Sequence, residues 1–192
     1  MKTFKKTIEG DDVVTVKVEA IIRGLKAENI FKMQSDLEYK SKLNNAPKQL
    51  KLIEQTSKNS DIIYIEVDLP FPMTNRDFVL KRLYMGNKEH PELIKKFDLY
   101  EWEHRYYAII VQSTEREDYP RKDKPVRADS KMNHWLIEED PNDKDVVKVK
   151  LLSCQKMNGN IPNMMMNKAA SSIKRTMIEP ILDSYVKLFG KE

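Results

Sequence analysis

The chain carries one cysteine among 192 residues, Cys154, which excludes an intramolecular disulfide and leaves packing to hold the fold. A reducing compartment is allowed by that count and not required by it. Glycine is scarce as well, with five residues, and none forms a Gly-rich loop of the kind that cradles phosphates. No apolar run approaches the roughly 18 residues that a membrane-spanning helix needs, and Met1 to Lys6 is not followed by the apolar segment of a signal peptide. No span and no leader is therefore read, although a leader already removed would leave the same sequence. The three histidines, His90, His104 and His134, lack the spacing of a metal site. Cys154 has no neighbouring base, and no serine stands in a nucleophile motif. The expectation is a protein with no catalytic set, metal or cofactor, and so not an enzyme.

What is present is the composition of a soluble globular protein, 40% hydrophobic and 33% charged. Residues 1–192 are enough for one core of useful size, and a single domain is expected, as a monomer. The balance of 34 basic and 30 acidic residues gives a net charge of +4. That excess suits transient contact with an anionic membrane surface and is too diffuse for nucleic acid, since no basic stripe or stacking motif accompanies it. The expected setting is soluble, either cytoplasmic or at the periphery of a membrane.

Periodicity supplies the elements. Val14, Val16 and Val18 alternate with Thr15, Lys17 and Glu19, which makes Val13 to Ile22 a strand paired with Thr3 to Ile8 across Gly10-Asp11-Asp12. Ala27 to Tyr39 fits one or two short helices, closed by Asn44-Asn45-Ala46-Pro47. Gln49 to Thr56, Asp61 to Leu69, Asp77 to Met85, Arg105 to Ser113 and Val146 to Leu152 read as further strands and Val126 to Glu138 as one or two, about nine in all. Residues 87–103 form a long charged and aromatic connection with the character of a lid.

From Met165 onward, Met165, Met166, Ala169, Ala170, Ile173, Met177, Ile181, Tyr185 and Leu188 recur at helical spacing, with Pro180 set to kink or divide the helix near Ile178. An antiparallel sheet with one apolar face needs a cover, and this helix is the one element large enough. The fold class is α+β: a curved antiparallel sheet around a long C-terminal helix, with two short inserted helices.

Three stretches carry a family resemblance: Asp68-Leu69-Pro70-Phe71-Pro72-Met73-Thr74-Asn75-Arg76-Asp77-Phe78-Val79, then Pro125-Val126-Arg127-Ala128, then Gly159-Asn160-Ile161-Pro162 leading into the final helix. In this order they resemble the START family, lipid-transfer domains related to steroidogenic acute regulatory protein, over nearly the whole chain. The first stretch is most similar to the phosphatidylcholine-transfer branch. The resemblance implies a helix-grip fold with a hydrophobic tunnel that takes one lipid, closed by a loop and by the terminal helix. Against that branch, Gln155 stands in place of an aspartate, Leu69 in place of a tyrosine near the headgroup, and the long N-terminal helix common in the family is missing.

On this basis the expected ligand is a phospholipid, carried between membranes; the alternatives are a lipid sensor or scaffold and an enzyme of the wider helix-grip group. The resemblance assigns Arg76 to the lipid phosphate, whereas a structural reading pairs it with Asp77 or another carboxylate. Strand alternation puts Phe78 and Arg82 on the face of Arg76; if buried, Arg82 needs an acid, for which Glu66 is the first choice. Tyr64, Tyr107 and Trp135 are either ring faces for a quaternary ammonium or plain core. Asn160 either helps a helix N-terminus hold phosphate or is a turn residue. Ile109, Val111, Ile137, Met165, Ile173 and Met177 would line the tunnel. In the lid, Leu93, Phe97, Tyr100 and Trp102 either dock on a bilayer or pin the loop to its own domain.

Overall fold

The computed structural model describes residues 1–7, 13–96, 99, 102–159, 161 and 178–190. Among them nine strands are laid out as β1 (Lys2–Thr7), β2 (Val13–Arg23), β3 (Gln49–Ser57), β4 (Ser60–Val67), β5 (Arg76–Gly86), β6 (Tyr106–Ser113), β7 (Val126–Arg127), β8 (Asp129–Glu139) and β9 (Val146–Lys156). Four helices accompany them: α1 (Ala27–Ser35), α2 (Leu37–Ser41), α3 (Pro91–Lys96) and α4 (Glu179–Phe189). The strands form one sheet in the order β1-β2-β9-β8-β6-β5-β4-β3, and β7 lies parallel to the start of β5. The expected α+β helix-grip architecture holds. Val126 to Glu138 divides into β7 and β8, and Ala27 to Tyr39 into α1 and α2. The connection after β5 contains the short helix α3, which periodicity did not reveal.

Alternation along the strands sets two faces of opposite character. Val16, Val18, Ala20 and Ile22 of β2 and Val147, Val149 and Leu151 of β9 point to an inner face, joined there by Ile63, Phe78, Leu80, Tyr107, Ile109, Val111, Trp135 and Ile137. Lys17, Glu19, Lys148 and Lys150 alternate with them and point out. The strand faces follow the sequence pattern, because burying one row of β-branched residues is what turns a pleated strand into a sheet with a core side.

Helix α1 closes part of the inner face. Its buried Ile30 and Met33 join that core, and Phe31 stacks on Tyr107 at 4.7 Å between ring centroids. No side chain of its own caps its N-terminus. Instead the Tyr185 hydroxyl of α4 accepts from the Lys26 backbone N–H at 3.1 Å and from Asn29 Nδ2 at 2.9 Å. Asp36 caps α2, its Oδ1 accepting from the Glu38 N–H at 2.7 Å. Ser184 Oγ accepts the Asn44 N–H at 3.0 Å, and Phe189 stacks on Tyr39 at 5.3 Å. The terminal helix is therefore fastened through the α1–α2 excursion. Pro180 stands in the first turn of α4, where a missing N–H costs nothing. The expected continuation of this helix through Met165, Ile173 and Met177 lies outside the described residues.

Tyr185→Phe removes the acceptor from two donors while keeping the ring. It should lower stability by about 1–3 kcal/mol in urea unfolding, and an unchanged midpoint and slope would show that the hydroxyl contributes nothing to fastening α4.

Candidate functional site

Arg76 opens β5 on the inner face, in register with Val67 of β4 and with Val126 of β7. It is 2% exposed. Its Nε donates to the Met157 carbonyl at 2.6 Å and its Nη2 to the Asn158 carbonyl at 2.8 Å, while Nη1 reaches the carbonyls of Thr74 and Asn75. Every one of these partners is a neutral backbone oxygen. Of the five guanidinium N–H groups, one on Nη2 is without an assigned acceptor among the described residues, which leaves a single donor in place of a two-pronged fork. Burial pushes the Arg76 pKa below its ordinary value, yet a guanidinium remains charged in a protein.

The chain turns after β9 to deliver those oxygens. Asn158 and Gly159 both take positive φ, 50° and 67°, a conformation that asparagine tolerates and glycine adopts freely. A Cβ on Gly159 would lie 3.3 Å from Arg76 Nη2. Glycine is thus needed there both for its backbone and for its lack of a side chain. Asn158 Nδ2 donates to the Arg127 carbonyl at 2.9 Å and to Asp129 Oδ2 at 2.7 Å, tying β7 and β8 to the same turn.

The structural reading in which Asp77 neutralises Arg76 is ruled out. Asp77 faces the other side of the sheet, where Arg127 Nε and Nη2 grip its two oxygens at 3.0 Å each. Tyr64 lies on that outer side too, its ring 5.6 Å from Tyr119, with burial and the nearby Asp77 pushing its pKa up to about 12. It is therefore removed from the interior wall. Tyr107 faces inward but is covered by Phe31. Phe78, Ile109, Val111, Trp135 and Ile137 are buried on the inner face. Asn160, Met165, Ile173 and Met177 lie outside the described residues, as do Phe97 and Tyr100. Trp102 is half-buried, stacked on His104 at 4.9 Å and edge-on to Tyr106 at 5.5 Å, so this ring pins the connection to its own domain. An apolar groove of about 230 Å³ lies on the outer side, lined by Tyr106, Ala108, Ile110, Leu136 and Leu152, away from the Arg76 guanidinium.

A second charged group sits further along β5. Arg82 pairs with Asp61, Nε to Oδ1 at 2.8 Å and Nη2 to Oδ2 at 2.6 Å, both buried. The acid is therefore Asp61 and not Glu66. The β4–β5 register explains the correction: it sets Asp61 opposite Arg82 on the inner face, and Glu66 opposite Asp77 on the outer one, where Lys48 and Asn75 engage it. Gln34 joins through its carbonyl, 3.4 Å from Arg82 Nη1, and its Oε1 accepts from Lys40 Nζ at 3.2 Å. Gln34 and Lys40 had no signal in the sequence, because the contact requires α1 and α2 to fold onto β5.

The histidines have structural partners. His134 Nδ1 accepts the Val111 N–H at 3.4 Å, and burial lowers its pKa, which keeps it neutral as that acceptor requires. His90 Nδ1 accepts the Gly86 N–H at 3.2 Å. Cys154 receives a hydrogen bond from Thr15 Oγ1 at 3.3 Å. Among the described residues no group of His, Cys, Asp or Glu has the arrangement of a metal site.

Burial, and then the charge of Arg82, push the Lys40 amine down to about 8 from an ordinary 10.5. Its protonated form is therefore disfavoured by folding. Between pH 8 and 10.5 the unfolded chain holds a proton that the folded chain has released, so stability rises with pH through that window. Relative to Lys40→Met, the wild-type protein should gain stability over this range in urea unfolding at stepped pH. A difference that does not change with pH would count against the desolvated amine.

Comparison with known proteins follows the same outline. The model for the START domain matches residues 2–180. The mouse phosphatidylcholine transfer protein is 26% identical over 156 residues, 81% of this chain and 65% of that protein's length. Among solved structures, human STARD10 superposes with a TM-score of 0.77 at 20% identity, covering 96% of this chain and 69% of that one. Human StAR-related lipid transfer protein 5 gives 0.70 at 16% identity, over 96% and 87%. These structures share the fold. With one family model running from β1 to the start of α4, the chain belongs to the START domain family.

Proposed function

We propose that this chain, as one lipid-binding domain, takes up a single phospholipid between the inner face of the sheet and the C-terminal segment and moves it between membranes. The observation that carries the reading is Arg76, a buried cation on the inner wall whose partners among the described residues are all neutral carbonyls. A charge desolvated without a counter-ion is costly, and a lipid phosphate accepting the remaining Nη2 N–H would neutralise it. Family membership and the mouse relative's name support a lipid cargo. Phe78, Ile109, Val111, Trp135 and Ile137 present apolar surface for acyl chains, each buried methylene contributing about 0.8 kcal/mol. Such exchange involves no covalent step, in keeping with a carrier that is not an enzyme. It requires only transient contact of a monomer with each membrane.

A charge-assisted hydrogen bond contributes about 1.5–3 kcal/mol, so Arg76→Ala should slow vesicle-to-vesicle phospholipid transfer by roughly 10- to 100-fold. Arg76→Lys, which keeps the charge on a shorter reach, should fall between. Both are to be checked for a wild-type circular dichroism spectrum first. Undiminished transfer by a folded Arg76→Ala variant would remove the residue from the site, and lipid binding without exchange by the wild type would make the protein a sensor or scaffold.

A further inference from the structure

The side of α2 that packs on the inner core carries a lysine. Leu37, Lys40 and Leu43 follow one another three residues apart, and the Leu43 N–H donates to the Lys40 carbonyl at 3.4 Å, which carries the helical turn past the end of α2. Both leucines pack on the inner core. Positions three apart on a helix share a side, so Lys40 is directed at that core as well. The other charged groups of α2 and α4 nearby are engaged in the open: Glu38 and Lys42 pair with each other at 2.6 Å, and Lys187 reaches Asn44 Oδ1 at 3.1 Å.

The Lys40 amine meets no acid among the described residues. Its one hydrogen-bond partner is the neutral Gln34 Oε1 at 3.2 Å, and the Gln34 carbonyl lies in turn 3.4 Å from Arg82 Nη1, so a guanidinium stands just beyond. Asp61, the carboxylate of this cluster, already has both oxygens held by Arg82 Nε and Nη2. The Tyr84 ring, 5.6 Å from the Arg82 guanidinium, brings no charge. An ammonium here would lose hydration and face a like charge, so the amine sheds its proton far below the pH at which exposed lysines do. Arg76 cannot shed its charge in this way, since a guanidinium stays protonated. A desolvated amine beside another cation is the arrangement that turns lysine into a nucleophile for carbonyl compounds.

We propose that Lys40 captures long-chain lipid aldehydes as an imine, with the alkyl chain lying on the inner face beside Arg82, where Ile63, Leu80 and Val111 stand on the same and the adjoining rungs. The step balances without a co-reactant. The Nζ lone pair attacks the carbonyl carbon, and one N–H proton passes to the oxygen to give a carbinolamine. That hydroxyl then leaves as water with the second N–H proton, and a C=N bond remains. Arg82 supplies the donors for the oxygen as it gains charge: two of its five N–H groups have no assigned acceptor among the described residues. The capture is stoichiometric, consumes the amine and does not depend on the phosphate role given to Arg76.

The test incubates the full chain with octanal and cyanoborohydride, which reduces the imine and fixes the label, and reads the alkylation of each lysine by peptide mass spectrometry. At pH 8 about half of the Lys40 amine is neutral, against roughly one in 300 for a lysine at the ordinary 10.5. The lower nucleophilicity of a weaker base offsets part of that advantage, so Lys40 should be labelled about tenfold faster than the exposed lysines. Its rate should level off above pH 8 while theirs still climbs, and in urea that unfolds the chain the advantage should vanish. Lys40→Arg, with a wild-type circular dichroism spectrum, should lose this fast label and no other. Labelling of Lys40 no faster than the exposed lysines, a rate that keeps rising to pH 10.5, or an advantage that survives unfolding would each overturn the proposal. Protection of Lys40 by an equal concentration of octanoate would overturn it too, by making this a site for a fatty carboxylate.

Discussion

Arg76 is held by carbonyl oxygens from two segments about 80 residues apart in the chain, and by no carboxylate among the described residues. That arrangement draws the start of β5, the strand β7 and the exit of β9 to one point, because a buried guanidinium must have its donors met wherever it lies. Carbonyl dipoles satisfy hydrogen bonds without cancelling charge. The interior therefore keeps a positive potential at one end of the sheet, and the backbone turn at Asn158-Gly159 exists in a form that lets those oxygens approach.

The other arginines of the region show the contrast. Arg127 has Asp77 on the outer side, and Arg82 has Asp61 within, each gripped through two nitrogens. Removing one member of such a pair leaves the other unpaired in a low-dielectric setting, so these contacts fix geometry more than they add stability. Arg76 and Arg82 are six residues apart on one strand face, roughly 20 Å of extended chain. At one end of the inner face the arginine is paired with an acid, and at the other its partners among the described residues are carbonyl oxygens.

Much of this was legible before folding. Alternation in β2, β5 and β9 identified the strands and placed Arg76, Phe78 and Arg82 on a common face. The apolar spacing of Ala27 to Tyr39, Ile30 and Met33 among it, was legible as one or two short helices. What failed was pairing. Glu66 is near Arg82 along the sequence and has the right charge, but the β4–β5 register turns it outward and brings Asp61 instead. Tyr64 failed for the same reason, since its parity within β4 matches Glu66 and not Asp61. The sequence left Trp102 open between docking on a bilayer and pinning its own segment, and only the packing of α3 and β6 chooses the second.

What the sequence determined by itself is therefore periodic: which residues are strands, which face of each is apolar, and which residues share a face with Arg76. Those properties depend on neighbours one to four positions away and survive any choice of partner strand. Which acid meets which arginine and which carbonyls surround Arg76 were decided only by the tertiary structure. A shift of one residue in register reverses every side chain of a strand, and no local pattern records the register that the turn and the opposing core select.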